Sequence, residues 1–272
     1  MKGIIRCSFI WTMMLALVCT AFLPSCTHAE YSAWICPKCG RNGNTGSYCE
    51  SCGIAAPWKK PEVGDCVSFG TYPQTAEGTD KTPIEWLVLA MEENRALLLS
   101  RYGLDVKPYN IAWTDVTWET CSLRNWLNNE FLNKAFSAEE QSSILTTDVD
   151  NSSDQGYSGW NTPGGNNTQD KVFLLSYEEA NKYLSVTYDY RYNTIPRMVP
   201  TAYAIQAGAY TSNFYKTAEG NTAGLWWLRS PGSSQSNASY VNVFGSLKLY
   251  NVSIGIGCVR PAFWLNLETG IY

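Results

Sequence analysis

Ten cysteines are spread along this chain of 272 residues, and four of them stand in one pattern. Cys36-Pro37-Lys38-Cys39-Gly40 is echoed by Cys49-Glu50-Ser51-Cys52-Gly53, with nine residues between the pairs. Two Cys-x-x-Cys knuckles, each followed by glycine, offer four soft thiolates at the spacing of a tetrahedral S4 zinc site. Glycine permits the tight turn that aims backbone N–H groups at a thiolate. Four thiolates close the shell of a zinc ion, so such a site folds its own segment and does no catalysis. Disulfides are the competing state in an oxidising compartment. Within one Cys-x-x-Cys pair they would be strained and redox-active.

Other chemistries are narrowed by what the rest of the chain lacks. The sole histidine, His28, stands ahead of the knuckles. That excludes Ser-His-Asp and Cys-His catalysis, and histidine-ligated metals, from everything that follows. Cys66, Cys121 and Cys258 are the cysteines beyond the knuckles, and Cys258 sits in an apolar run where a buried free thiol is expected. Asp148, Asp150 and Asp154 invite a calcium reading. Glycine at the sixth position and a bidentate Glu at the twelfth are missing, which excludes an EF-hand and leaves a solvated loop. A glycan or cell-wall hydrolase working through two carboxylates stays open. Its sign would be two carboxyl groups about 5–10 Å apart beside a tryptophan, and no spacing picks out such a pair.

Hydrophobic residues make up 45% of the chain and aromatics 14%, which argues for a packed body and against disorder. The formal charge of −4 gives no basic footprint, so nucleic acid is not a partner. Eleven Trp and seventeen Tyr supply core area first and, for the tyrosines especially, a stiff recognition surface second.

Residues 1–25 carry Lys2 and Arg6 ahead of an apolar run from Phe9 to Leu23, the form of an export signal. The run is too short for a comfortable membrane span. Leu23-Pro24-Ser25-Cys26 resembles a lipobox, which makes Cys26 the expected lipidation site and the membrane a partner through that anchor. A cut after Ala29 is the alternative and would release a soluble protein. Removing the leader leaves 18 basic against 24 acidic side chains, a charge of −6, so charge alone would not hold the body to anionic lipid. The expected order is a signal over 1–25, a tether over 26–34, the cysteine module over 35–55, a linker over 56–61 and one domain over 62–272.

The elements that must position any site read as α+β with a largely antiparallel sheet and two to four helices. Val63–Phe69, Ile84–Met91 and Ala96–Ser100 predict an opening meander. Leu123, Trp126, Leu127 and Phe131 share one face of a helix from Ser122. Ser137 with Glu140, and Ser176 with Glu179, are capping boxes for two more, and a short helix near Thr201–Ala207 is weakly marked. Val172–Leu175 is strand-like. The long stretch Val186–Gly224, with six tyrosines including Tyr188, Tyr210 and Tyr215, is expected to be a functional loop. From Leu225 to Leu267, apolar residues at spacing two predict a meander, including a strand over Val252, Ile254 and Ile256.

Several motifs fall in order along the domain. They are Phe69-Gly70-Thr71-Tyr72-Pro73-Gln74, Ile84-Glu85-Trp86-Leu87-Val88-Leu89, Cys121-Ser122-Leu123-Arg124-Asn125-Trp126-Leu127-Asn128 and Asp170-Lys171-Val172-Phe173-Leu174-Leu175-Ser176. Trp226-Trp227-Leu228-Arg229-Ser230-Pro231-Gly232 and Val259-Arg260-Pro261-Ala262-Phe263-Trp264-Leu265-Asn266-Leu267 complete the set. Over about 62–272 the chain resembles DUF6273, a bacterial family without an established activity. That layout is similar to C-type-lectin-like domains of the formylglycine-generating-enzyme branch, and the cysteine module resembles a small zinc ribbon. The lectin-like resemblance implies ligand binding. The lectin calcium triplets Glu-Pro-Asn and Gln-Pro-Asp are absent.

The resulting expectation is an exported, lipid-anchored, non-catalytic binding protein of the cell envelope, with a protein or glycan as ligand. The hydrolase and a purely structural envelope protein are the alternatives. Ser233, Ser234, Ser236, Asn237, Ser239, Tyr240, Asn242, Tyr250 and Asn251 are the expected ligand surface, since Ser, Asn and Tyr combine adaptable hydrogen bonding with stiff contact area. Trp226, Trp227 and Trp264 are expected to be core, and Arg229 and Arg260 to be structural, with Glu85 as their carboxylate partner.

Overall fold

A computed structural model describes residues 35–43, 49–53, 60–188 and 193–269. The expected export signal, Cys26, the expected tether and most of the expected linker lie outside the described residues. Among those described, no helix is long and apolar enough to cross a membrane.

The domain opens with β1 (Cys66–Tyr72), β2 (Thr82–Glu92), β3 (Arg95–Ser100) and β4 (Asp105–Val106). A helical stretch follows: α1 (Ser122–Trp126), a π-helical segment Leu127–Phe131, and α2 (Leu132–Ala135). Next come α3 (Ala138–Ser143), β5 (Thr147–Val149), β6 (Thr168–Asp170), α4 (Tyr177–Leu184) and α5 (Ala202–Gln206). The chain closes with β7 (Thr211–Lys216), β8 (Thr222–Gly224), β9 (Trp226–Pro231), β10 (Asn237–Val241), β11 (Leu247–Asn251), β12 (Cys258–Val259) and β13 (Ala262–Asn266).

Two sheets carry the fold, with strand orders β1-β2-β3-β13 and β11-β10-β9-β12-β4, and two small hairpins join β5 to β6 and β7 to β8. The architecture is α+β, mostly antiparallel. The opening meander forms as expected. The C-terminal meander holds only for β9, β10 and β11. The run Val252–Ile256 is made of turns rather than a strand. β12 then pairs parallel with β9 and antiparallel with β4, and β13 crosses to β3 in the first sheet. Pro261, which has no N–H to give a ladder, marks the crossing, and its carbonyl accepts from the Ser100 N–H at 2.9 Å.

Phe263 delivers an aromatic anchor into the first sheet. Its ring meets Trp86 edge-on at 4.6 Å and lies 5.6 Å from Phe136 and 5.7 Å from Phe69. Such rings bury large areas and lock one another's rotamers. Gly70 sits at φ +67° in the irregular stretch of β1, where a Cβ would lie 2.5 Å from the Phe136 ring. Only glycine lets the aromatic layer close there.

Both capping boxes are present, at Ser137 with Glu140 and at Ser176 with Glu179. The helix expected from Ser122 is capped by the Cys121 sulfur, which accepts from the Arg124 N–H at 3.4 Å. Leu123, Leu127 and Phe131 are buried on its inner face. Val172–Leu175 is wholly buried but is not a strand; it meets the sheets through the Phe173–Ala262 bridge and the Arg229 N–H, which donates to the Leu175 carbonyl at 2.9 Å. The expected long loop after Val186 contains α5 and the β7–β8 hairpin, so most of it has structure of its own.

Candidate functional site

The motif residues are largely occupied in holding the domain together. Arg124 and Asn128, from one motif, clasp the segment Asp170–Val172, from another. The Asp170 carboxylate accepts from Arg124 Nε at 2.7 Å, Trp118 Nε1 at 2.9 Å and Thr168 Oγ1 at 2.7 Å. Asn128 Oδ1 accepts from the N–H groups of Lys171 and Val172 at 2.9 and 3.1 Å, and its amide donates to the Val172 carbonyl at 2.8 Å. A buried carboxylate is tolerated because each lone pair in use meets a donor.

Arg229 is 2% exposed and spans the gap between β9 and α4. It donates to the carbonyls of Leu174 at 2.9 Å and Asp150 at 3.0 Å, and pairs with both oxygens of Glu179. Glu85 is not its partner. Glu85 pairs instead with Arg101 at 2.7 Å, because the β2–β3 register sets it opposite the residue just past the end of β3. Among the described residues Arg260 has no carboxylate partner. Its guanidinium lies 4.8 Å from the Trp226 ring centroid and donates through Nε to the Ser100 carbonyl at 2.9 Å. Burial lowers its pKa to about 9, which leaves it protonated at neutral pH. Trp226 and Trp227 are fully buried, and their indoles donate to the carbonyls of Pro196 and Lys107 at 3.0 Å each. Trp264 is buried beneath the Arg95 guanidinium, 4.4 Å from its centroid.

The four knuckle cysteines converge. All are free thiols, and their sulfurs lie within 4.8 Å of one another. Gly40 and Gly53 take φ +71° and +68°, closing turns in which their N–H groups bond the carbonyls of Cys36 and Cys49. The Cys39 N–H points at the Cys36 sulfur at 3.4 Å, the turn geometry that the spacing predicts. Burial works against the Cys36 thiolate, but the N–H groups of Cys39 and Lys38 outweigh it and bring the thiol down to about 6. The Arg41 N–H favours the Cys39 thiolate, while the crowding thiols of Cys36 and Cys49 outweigh it and push Cys39 up to about 12. Four sulfurs about 3.8 Å apart would surround a zinc ion at 2.3 Å, so the set fits a metal in size and donor type. Among the described residues this is the one group of three or more acid, histidine or cysteine side chains able to share an ion. The aspartates of the Asp148–Asp170 loop go their own ways. Asp148 accepts from Gln169, and Asp150 accepts from Ser152 and Gln155.

The remaining cysteines do not make a pair. Cys121 caps its helix, and burial pushes its thiol up to about 12. Cys258 is sealed between β4 and β9, and burial raises its pKa as well. Cys66 pairs with none of the other described cysteines, all of which are free.

The expected ligand surface divides in two. Ser239 is fully buried and donates to the Pro231 carbonyl at 2.7 Å, because its place in β10 faces inward. Asn242 is buried too, its Oδ1 accepting from the N–H groups of Phe244 and Ser246 to close the β10–β11 turn. Asn251 does the same for Ser253 at the next turn. Asn237, Ser234 and Ser236 bond among themselves at 2.8 and 2.9 Å, which fixes the shape of the turn that carries exposed Ser233. Tyr250 faces outward, while Tyr240, 6.0 Å from it, is half-buried and packs on the core beside Trp227. Burial first, and then the phenols of Tyr250 and Tyr210, raise the Tyr240 pKa and keep it a neutral hydrogen-bonding group. Tyr210 and Tyr250 are 49% and 41% exposed. Tyr188 is also exposed, stacked on Tyr157 at 4.7 Å with Lys248 4.8 Å from its centroid. Tyr203 and Tyr215 are spent on packing, against Tyr72 and Phe244. Tyr190 and Tyr192 lie outside the described residues.

Sequence reasoning missed the feature beside the serine turn. Ile111 and Trp113 stand 80% and 72% exposed on the loop after Tyr109. That loop is tied down. The Val116 N–H bonds the Gln235 carbonyl at 3.0 Å, the Asn110 N–H bonds the Val252 carbonyl at 2.8 Å, and Trp118 is anchored on Asp170. The Gln235 amide also reaches the Pro163 carbonyl at 3.1 Å. Gln235 thus binds three loops into one end of the domain. Trp113 is followed by polar Thr114-Asp115, and that was the slight signal of exposure available.

A family model described as Domain of unknown function (DUF6273) matches residues 93–267, more than half of the chain. The chain belongs to this family. The DUF6273 match begins at the β2–β3 turn, yet β1 and β2 complete the same sheet, so the folded unit starts before the matched segment. No curated protein and no solved structure matches the chain.

Proposed function

We propose that this DUF6273 protein is a non-catalytic, lectin-like binding module of the cell envelope, exported, held at the membrane through lipid on Cys26, and spaced from it by a zinc ribbon. One observation carries the reading. An exposed tryptophan and isoleucine project from a loop pinned on both sides by hydrogen bonds, beside a self-bonded serine turn. Water-exposed Trp113 and Ile111 gain from being covered, and a rigid mount lowers the entropy lost when a partner covers them. The exposed Tyr250 and Tyr210 offer further stiff contact area. Zinc is the metal that four converging free thiols favour. When bound it would hold Cys36, Cys39, Cys49 and Cys52 together and stiffen the module; these residues bind and orient, and move no proton.

The test is an array of glycans and proteins probed with the mature chain, with and without chelator. The reading expects one ligand class bound in both conditions and lost in Trp113→Ala. A ligand retained in full by that variant would move the site elsewhere.

One observation favours a second reading. An open cleft of about 760 Å³ is lined by Glu92, Glu93 and Glu268, next to the Arg95 that covers Trp264. A carboxylate-pair hydrolase would sit there. Arg95 already pairs with Glu92 at 2.6 Å, and the Asn94 amide donates to Glu268 at 2.6 Å, which suits a structural role better. Glycan cleavage abolished by Glu92→Gln or Glu268→Gln would establish the hydrolase.

A further inference from the structure

Within the four-cysteine cluster the sulfurs are not evenly matched. Cys36 lies 3.5 Å from Cys52, and Cys39 lies 3.5 Å from Cys49. Both close pairs cross from one knuckle to the other. Both would form nested loops, with the Cys39–Cys49 link inside the Cys36–Cys52 link. Each pair also joins a solvent-reachable sulfur to a sheltered one: Cys39 is exposed and Cys52 half-buried, while Cys49 and Cys36 are buried.

We propose that the module is an exchangeable clasp, which a small-molecule disulfide converts from a metal-held form to one stapled by Cys36–Cys52 and Cys39–Cys49 bonds. The inference rests on the metal reading above for its starting state, and on the sulfur geometry for its product. A disulfide RSSR enters at the reachable thiolate of a pair. That sulfur bonds one sulfur of the reagent and expels RS⁻; the sheltered partner then displaces the second RS⁻ and closes the protein disulfide. Two such reagents oxidise four thiolates, removing four electrons, and are themselves reduced to four thiols on taking up four protons. The metal ion leaves as its four thiolate ligands disappear. Cross-knuckle links tie the two halves of the module together, and longer loops constrain the unfolded chain more than links within one Cys-x-x-Cys. The clasp therefore stays shut in either state, and an oxidising surface costs the protein its metal and leaves the module's shape.

The experiment uses the full mature chain, purified reduced and loaded with zinc, then treated with oxidised glutathione. Released metal is read with a chromogenic chelator. The links are mapped by digestion without reductant, using trypsin with a glutamate-specific protease. Cuts after Lys38, Arg41 and Glu50 place the four cysteines on four separate peptides. Peptides joining Cys36 to Cys52 and Cys39 to Cys49 are expected, with one metal released per chain, while buried Cys121 and Cys258 remain alkylatable only after unfolding. The double variant Cys39→Ser with Cys49→Ser is expected to keep the Cys36–Cys52 link. Links confined to Cys36–Cys39 and Cys49–Cys52, or thiols that stay reduced under excess disulfide, would overturn the clasp. Cross-links formed by a chain that never bound zinc would leave the pairing standing and refute the metal reading alone.

Discussion

Replacing Asp170 by asparagine is the most informative single change to the scaffold. The carboxylate is 1% exposed and accepts three hydrogen bonds, from Arg124, Trp118 and Thr168. Asparagine keeps the size but offers one acceptor oxygen and one NH₂. Whichever way the amide turns, its NH₂ faces a donor, either Arg124 Nε or Trp118 Nε1. The loss of a charge-assisted bond costs about 1.5–3 kcal/mol, and a buried donor left unmet costs about 1–3 kcal/mol more. Together they give about 4 kcal/mol, within the range for breaking a buried ion pair. For a domain of this size each kcal/mol moves the melting temperature by about 2–4 °C, so Asp170→Asn should melt about 8–16 °C lower. Thermal unfolding followed by circular dichroism measures this, with exposed Asp154→Asn as the control, expected to shift by under about 0.5 kcal/mol. A double-mutant cycle with Arg124→Gln should return a coupling of more than about 1 kcal/mol. A melting temperature for Asp170→Asn equal to that of the control would refute the reasoning.

Four other outcomes are expected. Hydrogen bonding from the Thr82 hydroxyl first, and then from the N–H groups of Gln74 and Thr75, holds the Asp80 carboxyl below the usual carboxylate range. Its stabilising effect is therefore complete above about pH 4, the unfolded value, and fades as pH falls toward the depressed folded value. Asp80→Asn should flatten that acid limb of a stability-against-pH curve, and an unchanged limb would contradict the assignment. Gly70→Ala should lower stability by more than about 2 kcal/mol in a urea titration, through overpacking on Phe136 and the positive φ together. Chelation should make Cys36, Cys39, Cys49 and Cys52 reactive to maleimide without altering the melting of the main domain. Lipid on Cys26 should make palmitate labelling vanish in Cys26→Ala, and equal labelling of both proteins would contradict the anchor.

What the sequence made legible was local. The two Ser-x-x-Glu boxes and the Cys-x-x-Cys knuckles each carry their own geometry within a few residues, and they appear where the spacing puts them. Strand existence was legible for β2 and β3, because continuous apolar runs mark strands buried on both faces. Pairing was not. β12 meets β9 in parallel and β13 leaves for β3, choices made by distant partners such as Trp86 and Arg260. The candidate surface was half legible for the same reason. Ser and Asn that look like a recognition surface in one dimension, such as Ser239 and Asn242, are consumed by turns and an inward strand face. Glu85 was a plausible arginine partner by composition, but Glu179, drawn close by the α4 cap, is the one that reaches Arg229. Trp113 was hidden among eleven tryptophans, since exposure is a property of the finished fold.

The claim that this protein recognises a partner through its pinned loop end is tested most directly by binding measured on a matched pair of proteins. The mature chain and its Trp113→Ala variant would be compared by surface plasmon resonance against the ligand class found on the array. An affinity loss of tenfold or more with an unchanged melting temperature is predicted. Equal affinity in the two proteins would contradict the account.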